Sequence, residues 1–123
     1  MEIEKDWFMR QIQQLAQFVA QTFFQKDLIR YEIIDEVALS QTDLLYNTIK
    51  RLITEMKICE AENLLFERLD TGDLRHLELA IDFYQTVNLL SDEELKNANF
   101  SREEIQAGLR EILNRFKLPD FGL

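Results

Sequence analysis

Three glycines and one proline are all that 123 residues contain, and that scarcity limits the folds open to the chain more than any other feature. The tight hairpins of a β-protein draw on glycine, proline and Asn-Gly pairs, and loops that cradle phosphate draw on clustered glycines. Gly72, Gly108, Gly122 and Pro119 are too few and too scattered to supply either. An all-α fold follows, provided the apolar residues recur at helical spacing.

They do. From about Glu4 to Lys26, Phe8, Ile12, Leu15, Val19 and Phe23 fall four, three, four and four apart, which predicts a first helix with that stripe turned inward. A second segment, Leu28 to Ala38, places Ile29, Ile33 and Val37 on one side with Tyr31 and Ile34 beside them, and reads as a second, shorter helix. Between Gln41 and Asp70 no glycine or proline intervenes, and one rod of these thirty residues would run about 45 Å. Its stripe argues against a rod. Leu45, Ile49, Leu52 and Met56 share one face, whereas Ile58, Ala61, Leu65 and Leu69 fall about half a turn away. Two helices folded back near Met56 to Ile58 bury both stripes in one core, so an αα-hairpin is expected.

Gly72 suits the left-handed residue that closes a helix, and Asp73 can cap the next, which carries Leu77, Ala80, Ile81, Tyr84 and Val87. The last helix, Arg102 to about Lys117, shows Ile105, Leu109, Ile112 and Phe116 before Pro119 stops it. Three helix starts carry a local signature: Leu39-Ser40-x-x-Asp43-Leu44, Leu90-Ser91-x-x-Glu94-Leu95 and Phe100-Ser101-x-x-Glu104-Ile105. In each, the serine oxygen can accept from the amide three residues on, the acid can reach back to the serine amide, and the flanking apolar residues can touch. Such caps stabilise by about 0.5 to 2 kcal/mol each, enough to set where a helix begins. The acidic tract from Ser91 to Glu104 lacks the ligand order of a calcium loop and reads as punctuation. The expectation is a single domain, residues 1–123, of five or six helices built from antiparallel helical hairpins.

Charge narrows the partners. A net charge of −9 repels nucleic acid and anionic lipid, and the largest basic grouping is the pair Lys50-Arg51. No apolar run is long enough to span a bilayer. The start, Met1-Glu2-Ile3-Glu4, lacks the basic and apolar regions of a secretory leader, and the single cysteine cannot close an intrachain disulfide, so the cytoplasm is the expected location.

Chemistry has little to build on. His76 is the lone histidine; Asp73-x-x-His76 could offer a metal two ligands, but no second histidine or thiolate joins them, and a surface or first-turn histidine is expected. Cys59 lies near the expected hairpin turn without a recognisable base and reads as packing. Asp82, inside the apolar run Leu79 to Tyr84, is expected to face solvent or to meet Arg75 or Lys96. No catalytic, metal or cofactor-binding residue is assigned.

The outer side of helix one is more informative. Between Arg10 and Lys26 the stretch QIQQLAQFVAQTFFQ carries no charge, and Trp7, Gln11, Gln14, Phe18, Gln21 and Gln25 form a second stripe beside the inward one. An uncharged face with two large aromatics has the composition of a contact surface, from which charges are depleted. Trp7, Gln11, Gln14, Phe18 and Gln21 are therefore the candidate partner-binding residues. The competing reading is that glutamine is simply a good helix former and that the two aromatics tuck beneath neighbouring helices.

DWFMRQIQQLAQFVAQ near the start, LLFERLDTGD in the middle, and LAIDFYQTVNLLSDEEL followed by NFSREEI near the end resemble a family of small uncharacterised proteins from Firmicutes, a domain of unknown function. That resemblance implies no activity. The helical hairpins also look like tetratricopeptide-type units, with Ala61-x-x-x-Leu65 echoing a second-helix pattern but no regular 34-residue period. The function expected is a non-enzymatic protein-protein interaction module that self-associates, as in a homodimer, or binds a protein partner. The alternative is a small-molecule sensor or an enzyme with a carboxylate-lined helical pocket.

Overall fold

The computed structural model describes residues 2–26 and 29–119, and all regular structure among them is helical. Six helices follow one another: α1 (Glu2–Phe23), α2 (Gln41–Thr54), α3 (Ile58–Glu67), α4 (Leu74–Asn88), α5 (Asp92–Asn97) and α6 (Arg102–Arg115). α2 and α3 pack on each other as a hairpin, α4 lies against α6, and α1 covers both; α2 also touches α4. Ile12, Leu15 and Val19 of α1 meet Ile49, Leu65, Leu77, Tyr84, Ile105 and Ile112 in one apolar cluster. Full burial of each such aliphatic side chain stabilises by about 1.5 to 3 kcal/mol.

The switch of buried side in the 41–70 stretch marks a real turn. Leu45, Ile49 and Leu52 are buried from α2, and Ile58, Ala61 and Leu65 from α3. The chain reverses at Met56, which adopts φ 62°, while Lys57 N–H donates to the Leu52 carbonyl at 2.8 Å. That six-to-one bond around a left-handed residue is the Schellman closure. The same closure ends α5 at Asn99 (φ 56°), with Phe100 N–H on Leu95 O, and α6 at Lys117 (φ 59°), with Leu118 N–H on Leu113 O.

Gly72, expected to supply such a residue, is not left-handed; its amide donates to Asp70 Oδ1 at 2.9 Å in a side-chain turn. Asp73 does cap α4, accepting from Arg75 N–H. All three serine capping boxes form with both of their reciprocal bonds.

Two expectations need correction. Phe8 is only half-buried and Phe23 is exposed; Ala16 and Ala20 lie in the core instead. Small residues at these positions leave room for α1 to sit close on α4 and α6, and the inward stripe is rotated accordingly.

The second correction is larger: residues 29–39 form no helix, and Leu28 lies outside the described residues. Ile29 and Tyr31 are buried, Ile33 is half-buried, and Arg30, Glu32 and Ile34 are exposed, a period of two rather than 3.6. From residue 29 to residue 33 the chain alternates like a strand but has no partner strand, because α4 side chains take that role; beyond it the chain bends, Asp35 Oδ1 accepting from the Val37 and Ala38 amides. Asp82 Oδ2 accepts from Tyr31 N–H at 2.7 Å, and Gln85 Nε2 donates to the Ile29 carbonyl at 3.0 Å. Asp82 therefore meets neither solvent alone nor Arg75 or Lys96; it fastens a strap.

Candidate functional site

The glutamine and aromatic stripe of α1 lies on the outer side of the bundle. Trp7 is 48% exposed and Phe18 36% exposed; Gln14, Gln21 and Gln25 are exposed, and Gln11 is half-buried. Trp7 stands edge-on to Phe8, with ring centroids 4.9 Å apart. One face of α1 thus brings the five candidate contact residues together. It is anchored from behind, where Asn88 Nδ2 donates to the Met9 carbonyl at 3.4 Å and Lys5 lies 3.9 Å from Asp92.

A buried polar cluster, which sequence reasoning missed, ties the strap to the starts of α2 and α4. Tyr31 Oη donates to Asp43 Oδ1 at 2.6 Å, and Arg75 Nη2 donates to both Tyr31 Oη (2.9 Å) and Asp43 Oδ1 (3.1 Å). The guanidinium also lies over the Tyr31 ring at 4.2 Å. Burial, then the bond to Asp43, pushes the Tyr31 phenol up to about 12, so it remains a donor at neutral pH. The same Tyr31 bond, followed by the Ser40 amide, holds the Asp43 carboxyl below its ordinary range. A phenol that keeps its proton beside a carboxylate that keeps its charge is a structural clamp rather than an acid and base pair.

His76 is buried in the first turn of α4, not at the surface. Its Nδ1 accepts from Asp70 N–H at 3.3 Å, which leaves Nε2 as the donor toward Thr42 Oγ1 at 3.3 Å. Arg102 is a buried cation. It donates to the Asn88 and Leu90 carbonyls at 2.9 and 2.7 Å and pairs with Asp92 at 3.2 Å, closing the end of α4 onto the start of α6. A hint was present in the sequence: helix dipoles favour acids in the first turn, and an arginine directly after a capping serine runs against that rule.

The carboxylates converge in one place. Glu62 of α3 accepts from Tyr84 Oη at 2.5 Å, and Glu104 lies near enough to act on it. Burial first, and Glu104 also, raise the Glu62 carboxyl, against the Tyr84 bond that lowers it; burial and Glu62 push the Tyr84 phenol far up. Gly108 makes this possible, since a Cβ there would lie 2.5 Å from Tyr84 Cζ and 2.6 Å from Glu62 Oε2. The adjoining groove, with Glu104, Glu111 and Arg115, is shallow and open.

Cys59 is half-buried, and burial, with Glu104 and Glu62 adding, pushes its thiol up, so little thiolate is present. No group of three or more histidine, cysteine, aspartate or glutamate side chains able to hold a metal occurs among the described residues, nor does any helix there have the length and apolarity to cross a membrane.

A six-helix chain with these caps and this core is matched from residue 2 to residue 117 by the family of unknown function DUF6483. The chain belongs to that family. No curated protein and no solved structure matches it. Membership in DUF6483 assigns no reaction, so any function must be argued from the surfaces just described.

Proposed function

We propose that this DUF6483 domain is a non-enzymatic interaction module that self-associates through the outer face of α1. The supporting observation is Trp7, which keeps 48% of its surface exposed on a helix that carries no charge from Gln11 to its end at Phe23. Two copies of a chain with net charge −9 repel each other at long range. The α1 face is where they can approach without opposing like charges, and a two-fold pairing sets the same stripe against itself. Trp7 and Phe18 would be the anchors, with Gln11, Gln14 and Gln21 exchanging amide hydrogen bonds around them. The α2–α3 hairpin, similar to the unit that tetratricopeptide-type scaffolds stack, suits a protein-binding role, and we place that role in the cytoplasm.

Light scattering on wild type and on the Trp7→Ala/Phe18→Ala variant tests this. The expected result is a dimer mass for wild type and a monomer mass for a variant with unchanged far-UV dichroism. A wild-type monomer at concentrations of the order of 100 µM, or a folded variant that keeps the dimer mass, rejects the α1 face.

A further inference from the structure

Between α2, α4 and the strap lies a cavity of about 320 Å³. Its accessible apolar surface comes from the half-buried Tyr46 and Ile53, with the buried Ile49, Leu79 and Phe83 as the floor behind them. That volume equals about ten water molecules, at the small end of known ligand cavities.

Its polar groups are unevenly satisfied. Asp82, on the α4 side, is already engaged: Oδ2 takes the Tyr31 amide at 2.7 Å and Oδ1 takes the Thr86 hydroxyl at 3.1 Å. Arg30 from the strap and Lys50 from α2 also line the cavity, and both are exposed. The chain has 23 acidic residues against 14 basic ones, yet neither cation is in an ion pair among the described residues. Lys50 only lies over the Tyr46 ring, at 5.4 Å.

Two exposed cations outside any ion pair among the described residues, beside an apolar recess, suit a ligand with an apolar body and an anionic head. We propose that this cavity binds a small free apolar carboxylic acid, its aromatic or branched body on Tyr46 and Ile53 over the floor of Ile49, Leu79 and Phe83, and its carboxylate between Arg30 and Lys50. Polar groups of this kind fix a ligand's orientation while the apolar contact supplies most of the affinity. No residue of α1 lines the cavity, so the inference stands or falls separately from self-association.

The test uses the whole chain, labelled at its isoleucine and leucine methyl groups, titrated with 3-phenylpropionate, its neutral amide 3-phenylpropanamide and the cation 3-phenylpropylamine. The expected result is saturable shifts at Ile49, Ile53 and Leu79 with the acid, at a dissociation constant of the order of a millimolar, with weaker binding of the amide and weakest of the amine. Arg30→Gln and Lys50→Gln, both at exposed side chains, are expected to weaken the acid by about two- to fivefold each and to leave the amide unchanged. Lys50→Glu is expected to reduce the preference for acid over amine further. The inference is overturned by the absence of saturable shifts at those methyls, by equal binding of acid and amide, or by folded variants that bind the acid as wild type does.

Discussion

Gly108→Ala is the sharpest perturbation available, because ordinary helix physics and this packing predict opposite signs. In the interior of a helix with open space around it, Gly→Ala stabilises by about 1 kcal/mol. Here the new methyl would sit 2.5 Å from Tyr84 Cζ and 2.6 Å from Glu62 Oε2, so both must withdraw by roughly 1 Å to reach ordinary contact. Neither is free to do so. Tyr84 is fully buried, and its hydroxyl holds Glu62 at 2.5 Å. Overpacking a core costs about 1 to 3 kcal/mol, and losing a hydrogen bond to a charged acceptor costs about 1.5 to 3 kcal/mol. Set against the propensity gain, the net expectation is a loss of about 2 to 4 kcal/mol, a large part of the stability of a chain this size.

Urea unfolding of wild type, Gly108→Ala, Tyr84→Phe and the double variant measures it. Removing the hydroxyl takes away the atom nearest the new methyl, so the double variant should lose less than the sum of the singles by about 1 kcal/mol or more. A single-variant cost below about 0.5 kcal/mol, or a cycle additive to within about 0.5 kcal/mol, would refute the close approach of α6 to α4 at this point.

Other outcomes can be read from the same structure. The Glu62 carboxyl is raised above its ordinary value of 4.5, so the folded chain holds that proton more tightly than the unfolded one; the associated stability is complete below pH 4.5 and is lost as pH rises through the folded value. Glu62→Gln, which still accepts from Tyr84, should therefore flatten the decline of urea midpoint above pH 4.5, and a decline of unchanged slope counts against it. Asp43 and Glu94 are held below their ordinary values of 3.8 and 4.5, so their contribution is present above those values and is lost as pH falls through the depressed ones. Asp43→Asn should correspondingly shallow the acid limb in the same titration. Lys117 is exposed at φ 59°, and Lys117→Gly should raise stability by about 0.5 to 1 kcal/mol in urea, whereas Gly72→Ala, at a residue that is not left-handed and whose Cβ would lie 3.3 Å from Asp70 Oδ1, should carry no left-handed penalty.

Helix beginnings were legible and helix endings were not, for a physical reason. Ser40, Ser91 and Ser101 cap through their own side chains, a local interaction written in four consecutive letters. Met56, Asn99 and Lys117 end helices in the left-handed region without glycine, and two of these ends are fixed by the residue just after the turn: Phe100 and Leu118 carry the closing amides while packing on or in the core. The turn at Met56 was legible anyway, because the buried stripe changes side there. The strap failed for a related reason. Its alternation is that of a strand, yet its hydrogen-bond partners are Asp82 and Gln85, more than 50 positions away. The uncharged glutamine and aromatic stripe of α1 could be listed from residue types alone; its place on the outer side of the bundle came from the fold. The clamp of Tyr31, Asp43 and Arg75 could not, because it joins three elements that only the fold brings together.

The strap also connects the two polar systems, which leads to a last prediction. Arg30 lines the cavity, while its neighbour Tyr31 is locked between Asp43 and Arg75 and by its amide onto Asp82. Asp82 thus has two opposing influences on an anionic ligand: its charge repels the carboxylate, and its bond to Tyr31 keeps Arg30 in place. Asp82→Asn removes the charge but can keep an acceptor for the Tyr31 amide, so affinity for 3-phenylpropionate should equal or exceed that of wild type. Asp82→Ala removes both, and a loosened strap should leave the acid several-fold weaker than in the Asn variant, together with faster hydrogen exchange at the Tyr31 amide. Equal affinity in the two variants, with Tyr31 exchange accelerated only in Asp82→Ala, would show that Arg30 does not depend on the strap for its position.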